Sequence, residues 1–395
     1  MTISQSLLLS DVRSRVDEIR DEIVAVRRDL HAHPELGWHE VRTTELIRQR
    51  LVAAGLSPQV LPTGTGLICD IGSGDTCVAL RADIDALPVP DGVDSPFRST
   101  QEGVAHACGH DVHTAALLGA AIVLARMAAD GQLPHRVRLI FQPAEEVMPG
   151  GALGVIAAGG LDGVRRIYGL HCDPRLPVGK VGLRIGALTA AADRVLVRLS
   201  GQGGHTSRPH LTGDLVYALA TLVTEMPAAL SRRVDPRAGL SLVWGRITSG
   251  SAANAIPARG EAEGTLRCLD ASAWRLAAEL IPTLAEQLIA PYGVQVSTEV
   301  THGVPPVMND AAAIEVLQRV VVETMGPGAV APTDQSLGGE DFAWYLEHVP
   351  GAMARLGVRP AAVDSAADLH TPGFNPDEDA IAVGMTVLAS CALLD

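Results

Sequence analysis

Aromatic side chains are scarce: they make up 3% of the 395 residues. A buried core must therefore be built from Ala, Val, Leu and Ile. Cysteine is sparse and scattered, with six residues at 69, 77, 108, 172, 268 and 391. They form no C-x-x-C pair and no dense framework, which points to reduced thiols and a cytoplasmic location. No long apolar run occurs near the start. Leu7-Leu8-Leu9 is followed at once by charged residues and is too short for a signal peptide or a membrane span. No run of Lys and Arg offsets a net charge of −14. Such a chain repels phosphate backbones, so neither nucleic acid nor a membrane is an expected partner. Internal repeats and low-complexity segments are also missing.

What is present is globular composition, 47% hydrophobic and 19% charged. The length exceeds one ordinary core and suits two. Apolar positions at Val12, Val16, Ile19, Ile23, Val26 and Leu30 alternate steps of four and three, so 11–31 is an amphipathic helix. A second helix is expected over 40–54, ending at Gly55, and an Ala-rich buried helix over 113–129. Strands are expected at 67–71, 77–82, 136–142 and 165–170. Alternating strands and helices predict a mixed, mostly parallel α/β sheet covered by helices on both faces. Residues 188–303 follow a different order, β-α-β-β-α-β, the ferredoxin-like pattern, and are expected to form an inserted lid domain. The catalytic domain then comprises 1–187 and 304–395.

Polar residues able to do chemistry fall at the ends of the predicted strands, where open α/β sheets place their ligands. Asp83 and Asp85 follow 77–82, Glu145 and Glu146 follow 136–142, and His171 ends 165–170. The densest cluster is His106-Ala107-Cys108-Gly109-His110-Asp111-Val112-His113. Thiolate and imidazole are good ligands for zinc and its neighbours, against the plainer reading of a helix start with incidental histidines. The adjacent carboxylates of Glu145 and Glu146 repel unless a cation or a proton intervenes. One could bind metal while the other acts as a general base. Alone, the pair reads slightly better as solvated acids at a helix start, where the dipole favours them. His171 and His370 are lone loop or strand-end histidines whose weight comes from the set. Cys108, His110, Glu146, His171 and His370 together supply enough donors for two divalent ions, with Zn, Mn, Co and Ni all compatible. Asp85 is expected behind a metal-bound histidine. In the insert, His205 could donate to an oxyanion, and Asn254 and Arg267 could hold a substrate carboxylate.

Assembled, these stretches resemble the hippurate hydrolase and indoleacetyl-amino-acid hydrolase branch of the aminoacylase/carboxypeptidase-type metallohydrolases. The resemblance runs from His33-Pro34-Glu35-Leu36 through Asp83-Ile84-Asp85-Ala86-Leu87-Pro88, Cys108-Gly109-His110-Asp111 and Gln142-Pro143-Ala144-Glu145-Glu146. It continues through Gly169-Leu170-His171, Gly203-Gly204-His205, Asn254-Ala255-Ile256-Pro257 and Gly339-Glu340-Asp341-Phe342 to His370-Thr371-Pro372-Gly373-Phe374. It implies two divalent ions on Cys108, His110, Glu146, His171 and His370, with the thiolate able to bridge. It further implies Glu145 as catalytic base, Asp85 as the acid steadying the site, and His205 as a lid histidine. Asn254 and Arg267 match residues that bind the substrate's carboxylate. A homodimer or larger homo-oligomer through the lid is implied as well. Ala105, Val147-Met148-Pro149-Gly150-Gly151 and Cys172-Asp173 depart from the usual pattern near the ligands, which leaves the substrate open.

The expected activity is hydrolysis of the amide bond of a small N-acyl amino acid. Small-peptide carboxypeptidase or dipeptidase activity is the nearest alternative. A cysteine amidase with Cys108 as nucleophile would leave the Glu145-Glu146 pair without a task. A non-catalytic metal- or ligand-binding protein would leave Glu145 without one.

Overall fold

The computed structural model describes residues 5–395. The chain divides into two compact units. One comprises the segment ending at Gly186 together with Met308–Asp334 and Asp341–Asp395, and the other Ala187–Val307 with Gln335–Glu340.

The larger unit is built on an eight-stranded sheet. In spatial order its strands are Gln59–Val60, Leu67–Ile71, Arg136–Gln142, Cys77–Asp83, Val164–Pro177, Gly351–Arg359, Val181–Leu183 and Val330–Pro332. The central pairings are parallel: Cys77–Asp83 with both its neighbours, and Val164–Pro177 with Gly351–Arg359. Antiparallel pairs join Leu67–Ile71 to Arg136–Gln142 and Gly351–Arg359 to Val181–Leu183. This is a mixed, mostly parallel α/β sheet. Cys77–Asp83 is buried along its whole length, as a strand covered on both faces must be.

Four long helices share the core with this sheet: Gln5–Ala32, His110–Ala129, Ala311–Met325 and Asp379–Leu394. The predicted stripe Val12, Val16, Ile19, Ile23, Val26 and Leu30 is the buried face of the first. That helix begins before position 11, at Gln5. His110–Ala129 is long and apolar enough to span a bilayer by length and composition alone. Its apolar window is 78% buried inside the protein, so packing accounts for the composition. Small residues let the helices approach closely. A Cβ at Gly119 would lie 2.6 Å from Met385 Cε, and one at Gly384 would lie 2.8 Å from Ala116 Cβ.

Two sequence expectations need correction here. His171 does not end its strand. Val164–Pro177 continues six residues beyond it, because the parallel partner Gly351–Arg359 keeps pairing through Asp173 and again at Pro177. Asp83 is the last residue of its strand rather than the first residue after it, pairing with Gln142.

The smaller unit has four antiparallel strands in the order Ser241–Ser249, Arg259–Cys268, Ala191–Ser200, Gln295–Val304. With helices Leu215–Leu230 and Ala271–Ile289, the chain order is β-α-β-β-α-β. Each of these helices starts on an aspartate that caps a backbone amide: Asp214 accepts from Tyr217 N at 3.3 Å and Asp270 from Ala273 N at 2.7 Å. Gln335–Glu340 belongs to this unit through Ser336 N, which donates to Leu188 O at 2.9 Å.

Candidate metal centre and active site

The larger unit's sheet and its core helix bring side chains from five separated stretches to one place. Gly109 caps the start of His110–Ala129 in the left-handed region, at φ 87°. A Cβ there would sit 2.7 Å from Cys172 Sγ, so glycine satisfies both the turn and the close approach. Cys108 and His110 flank this turn. Cys108 Sγ lies 3.5 Å from His171 Nε2 and 3.3 Å from His370 Nε2. Glu146 Oε1 lies 3.2 Å from His370 Nε2 and 3.8 Å from His110 Nε2. Donor atoms of Cys108, His110 and His171 all fall within 4.8 Å of one another. So do those of Cys108, Glu146 and His370, and those of His110, Glu145 and Glu146. Cys108 belongs to two of these groups, as a bridging thiolate would.

The surroundings fix these donors. His110 Nδ1 sits 2.9 Å from the Asp85 carbonyl and 3.1 Å from Asp85 Oδ1, leaving Nε2 to face the centre. Asp85 Oδ2 accepts from Glu146 N at 2.9 Å, so one buried carboxylate aligns two of the converging residues. His171 Nδ1 donates to Cys172 O at 2.8 Å, which likewise presents Nε2. His370 stands in the left-handed region at φ 61° and is half-exposed on its side chain.

His113 belongs to the His106–His113 cluster and stacks on His110, but both its ring nitrogens are engaged elsewhere. Its Nδ1 lies 2.6 Å from Asp83 Oδ1 and its Nε2 accepts from Cys172 N at 2.8 Å. It thereby steadies the backbone beside His171. Asp83 is held in turn by Arg81, which also bonds Gln142 and Asp341. His106 is buried with no hydrogen-bond partner on either ring nitrogen among the described residues.

The electrostatics show how the cluster fits cations. Burial and the carboxylates of Glu146, Glu145 and Asp83 push the Cys108 thiol well above its ordinary value. Burial opposes charge on His110, yet Asp83, Asp85 and Glu146 raise it to about 10. Among the described residues His110 Nε2 is buried without a hydrogen-bond partner, 3.8 Å from Glu146 Oε1. Concentrated negative charge, a thiol needing a cation to ionise, and a buried imidazole nitrogen left without a partner beside a carboxylate suit divalent metal ions.

The residues named in the insert lie in the smaller unit. His205 is exposed, and its Nδ1 accepts from Ser207 N at 3.1 Å, which leaves the proton on Nε2. Ala255 pairs with His205, and Asn254 O accepts from Thr206 N at 3.2 Å, so Asn254 and His205 are neighbours. Arg267 is half-buried on the strand Arg259–Cys268 and bonds the Leu337 carbonyl. Sequence reasoning missed Glu40, which is fully buried and bonds the backbone just before Glu145.

Residues 79–394 match the profile of peptidase family M20/M25/M40. The chain belongs to this family. As an M20 member it is a metallohydrolase that acts on amide bonds. It is 39% identical to an N-acetyl-L-cysteine deacetylase of Bacillus subtilis (strain 168), over 92% of this chain and 85% of that protein. It is 50% identical, over 95% of its length, to a Rhodococcus jostii (strain RHA1) protein that carries the name of a glutamate–cysteine ligase. That protein is much longer, and the chain spans 47% of it. Among solved structures, the Bacillus subtilis YXEP protein, a dinuclear metal-binding peptidase of the M20 family, superposes with a TM-score of 0.83. It is 34% identical, over 95% of this chain and 98% of that one. This M20 neighbour supports two divalent metals here, in keeping with the overlapping donor groups.

Proposed function

We propose that this chain removes the acyl group from a small N-acyl amino acid, as a deacylase of the hippurate and indoleacetyl-amino-acid hydrolase branch. Two divalent ions, drawn from Zn, Mn, Co or Ni, are held by Cys108, His110, Glu146, His171 and His370. The observation that carries this reading is the convergence of those five side chains with Glu145 beside them. Bound there, the cations polarise the substrate carbonyl and acidify water.

The protein's own residues do the rest. Glu145 is buried at 8% exposure, and its carboxylate lies within 4.8 Å of donor atoms of His110 and Glu146. It belongs to neither donor group that contains Cys108, which leaves it to take a proton from the attacking water and return it to the leaving amine. Asp85 keeps His110 and the Glu146 backbone in register. His205, with its proton on Nε2, is an oxyanion donor, and Asn254 and Arg267 hold the substrate's carboxylate. The relatives' names favour N-acylcysteine as the first substrate to try.

The smaller unit acts as lid and dimerisation module. Its edge strand Ser241–Ser249 exposes Val243 and Ile247, at 65% and 54%, which suits pairing with a second copy. All six cysteines are unpaired and buried, in keeping with a reducing, cytoplasmic setting.

Hydrolysis of acetyl-, benzoyl- and longer-acyl amino acids, and of dipeptides, before and after chelation tests the reading. Turnover of N-acyl amino acids that chelation abolishes and divalent metal restores is the expected result. Preferential cleavage of dipeptides would shift the assignment to a small-peptide carboxypeptidase or dipeptidase. Turnover unaffected by chelation would refute the metal mechanism.

A further inference from the structure

The turn that carries Glu145 is strained. Ala144 is fully buried and adopts φ 53°, a left-handed conformation that a residue with a Cβ rarely takes. Two contacts pin its peptide groups. Its N–H donates to Glu40 Oε1 at 2.7 Å, and its carbonyl accepts from Gly151 N at 3.0 Å. Two residues on, the Glu146 N–H donates to Asp85 Oδ2 at 2.9 Å. Glu145 therefore sits between two backbone amides, each captured by a buried carboxylate.

Glu40 is an odd residue to find here. It lies at the start of the helix Val41–Ala53, where an acid commonly caps amides, yet its side chain makes no capping bond. It is fully buried, and besides the Ala144 amide its carboxylate meets the buried Thr65 hydroxyl. Burial and the nearby Asp85 carboxylate push it up to about 7. A carboxyl held in such a place works against folding unless its contact with Ala144 matters.

We propose that Glu40 is a positioning residue for catalysis, which holds the Ala144 peptide in its left-handed conformation and so aims the Glu145 carboxylate. The proposal rests on the reading of Glu145 as the base. Glu40 precedes the segment 79–394 that matches the family profile. Its bond to this turn is to the Ala144 peptide, so it acts on Glu145 through the backbone.

Metal-loaded Glu40→Ala, Glu40→Met and Glu40→Gln variants test this, with kcat, KM, metal content and thermal stability measured for each. Ala and Met remove the acceptor, Met at nearly the original length, so Met is decisive should Ala fail to fold. Loss of about 100-fold in kcat is expected from a misaimed base, with KM and metal content unchanged. Gln keeps an acceptor oxygen and should restore most of the rate. Glycine adopts the left-handed region without strain, so adding Ala144→Gly to either impaired variant should recover about tenfold or more. A Glu40→Met enzyme within about threefold of the parent kcat would overturn the proposal. So would a Gln variant as impaired as Met, or a loss explained by missing metal. Glu145→Gln, assayed alongside, separates the two claims. If it keeps normal turnover, the base assignment has failed. If it is inactive while Glu40→Met is normal, only the role of Glu40 has failed.

Discussion

Asp85→Asn changes few atoms and much chemistry. In the parent, Oδ1 faces His110 Nδ1 at 3.1 Å and Oδ2 accepts from Glu146 N at 2.9 Å. Both partners are N–H donors when His110 presents Nε2 to metal. Asparagine has one acceptor oxygen, so its amide nitrogen must face one of these donors. His110 Nδ1 has a second acceptor, the Asp85 carbonyl at 2.9 Å, whereas among the described residues the Glu146 amide bonds only Oδ2. The asparagine oxygen therefore stays with Glu146, and its NH2 turns toward the imidazole. One charge-assisted hydrogen bond is lost, worth about 1.5–3 kcal/mol. The negative charge that raises the basicity of His110 is lost with it. At about 1.4 kcal/mol per factor of ten, the loss is about 10–100-fold in metal affinity, the usual scale for a partner behind a metal ligand. Titration of metal-free protein with Zn²⁺ in competition with a chromophoric chelator reads that affinity directly. At saturating metal most of the kcat should return. Affinity and kcat/KM both within twofold of the parent would refute the role given to Asp85.

Other outcomes follow from the same geometry. Glu145→Gln should retain its metal content and lose about 10²–10⁴ in kcat, as removal of a general base does; steady-state kinetics on the metal-loaded variant checks this. Asp111 is fully buried against Arg27, whose Nε lies 2.7 Å away, so Asp111→Asn should cost about 3–5 kcal/mol in a denaturant titration. Burial alone would push the Asp111 carboxyl up, yet Arg27 and His31 hold it well below the usual carboxylate range. Its folded value is thus depressed. The stability it contributes is complete above about pH 4, the unfolded value, and drains away as the pH falls further. The parent should lose stability across that acid range with a steeper slope than Asp111→Asn. Val243→Lys with Ile247→Lys, on the exposed edge strand, should shift a dimer to monomer in light scattering.

Local chemistry and periodicity carried much of the larger unit. The buried stripe of the first helix was written in its three-four spacing, and Arg136–Gln142 is apolar enough to be read as a strand. Gly351–Arg359 was not readable in the same way. Gly351, Ala352, Ala354, Arg355 and Gly357 have little intrinsic preference for strand, and the segment is extended because it pairs on both sides. The end of the His171 strand is hidden for a related reason: His171-Cys172-Asp173-Pro174 looks like a loop, and the partner strand keeps it extended. At the site, the donor types were legible and their division of labour was not. His113 shares the motif of Cys108 and His110, yet its contacts are Asp83 and the Cys172 amide. Glu40 and Ala144 are 104 positions apart. The clue lay in an acid at a helix start, and that position has a common and sufficient local explanation.

In the proposed site Cys108 and its four partners hold two divalent ions. Metal content per chain, measured with X-ray absorption at the edge of the bound element, tests it most directly. Two ions per chain are expected, with a sulfur scatterer at about 2.3 Å if the metal is zinc, absent in Cys108→Ser. A fully active, metal-free chain, or a bound metal with no sulfur neighbour in the parent, would contradict it.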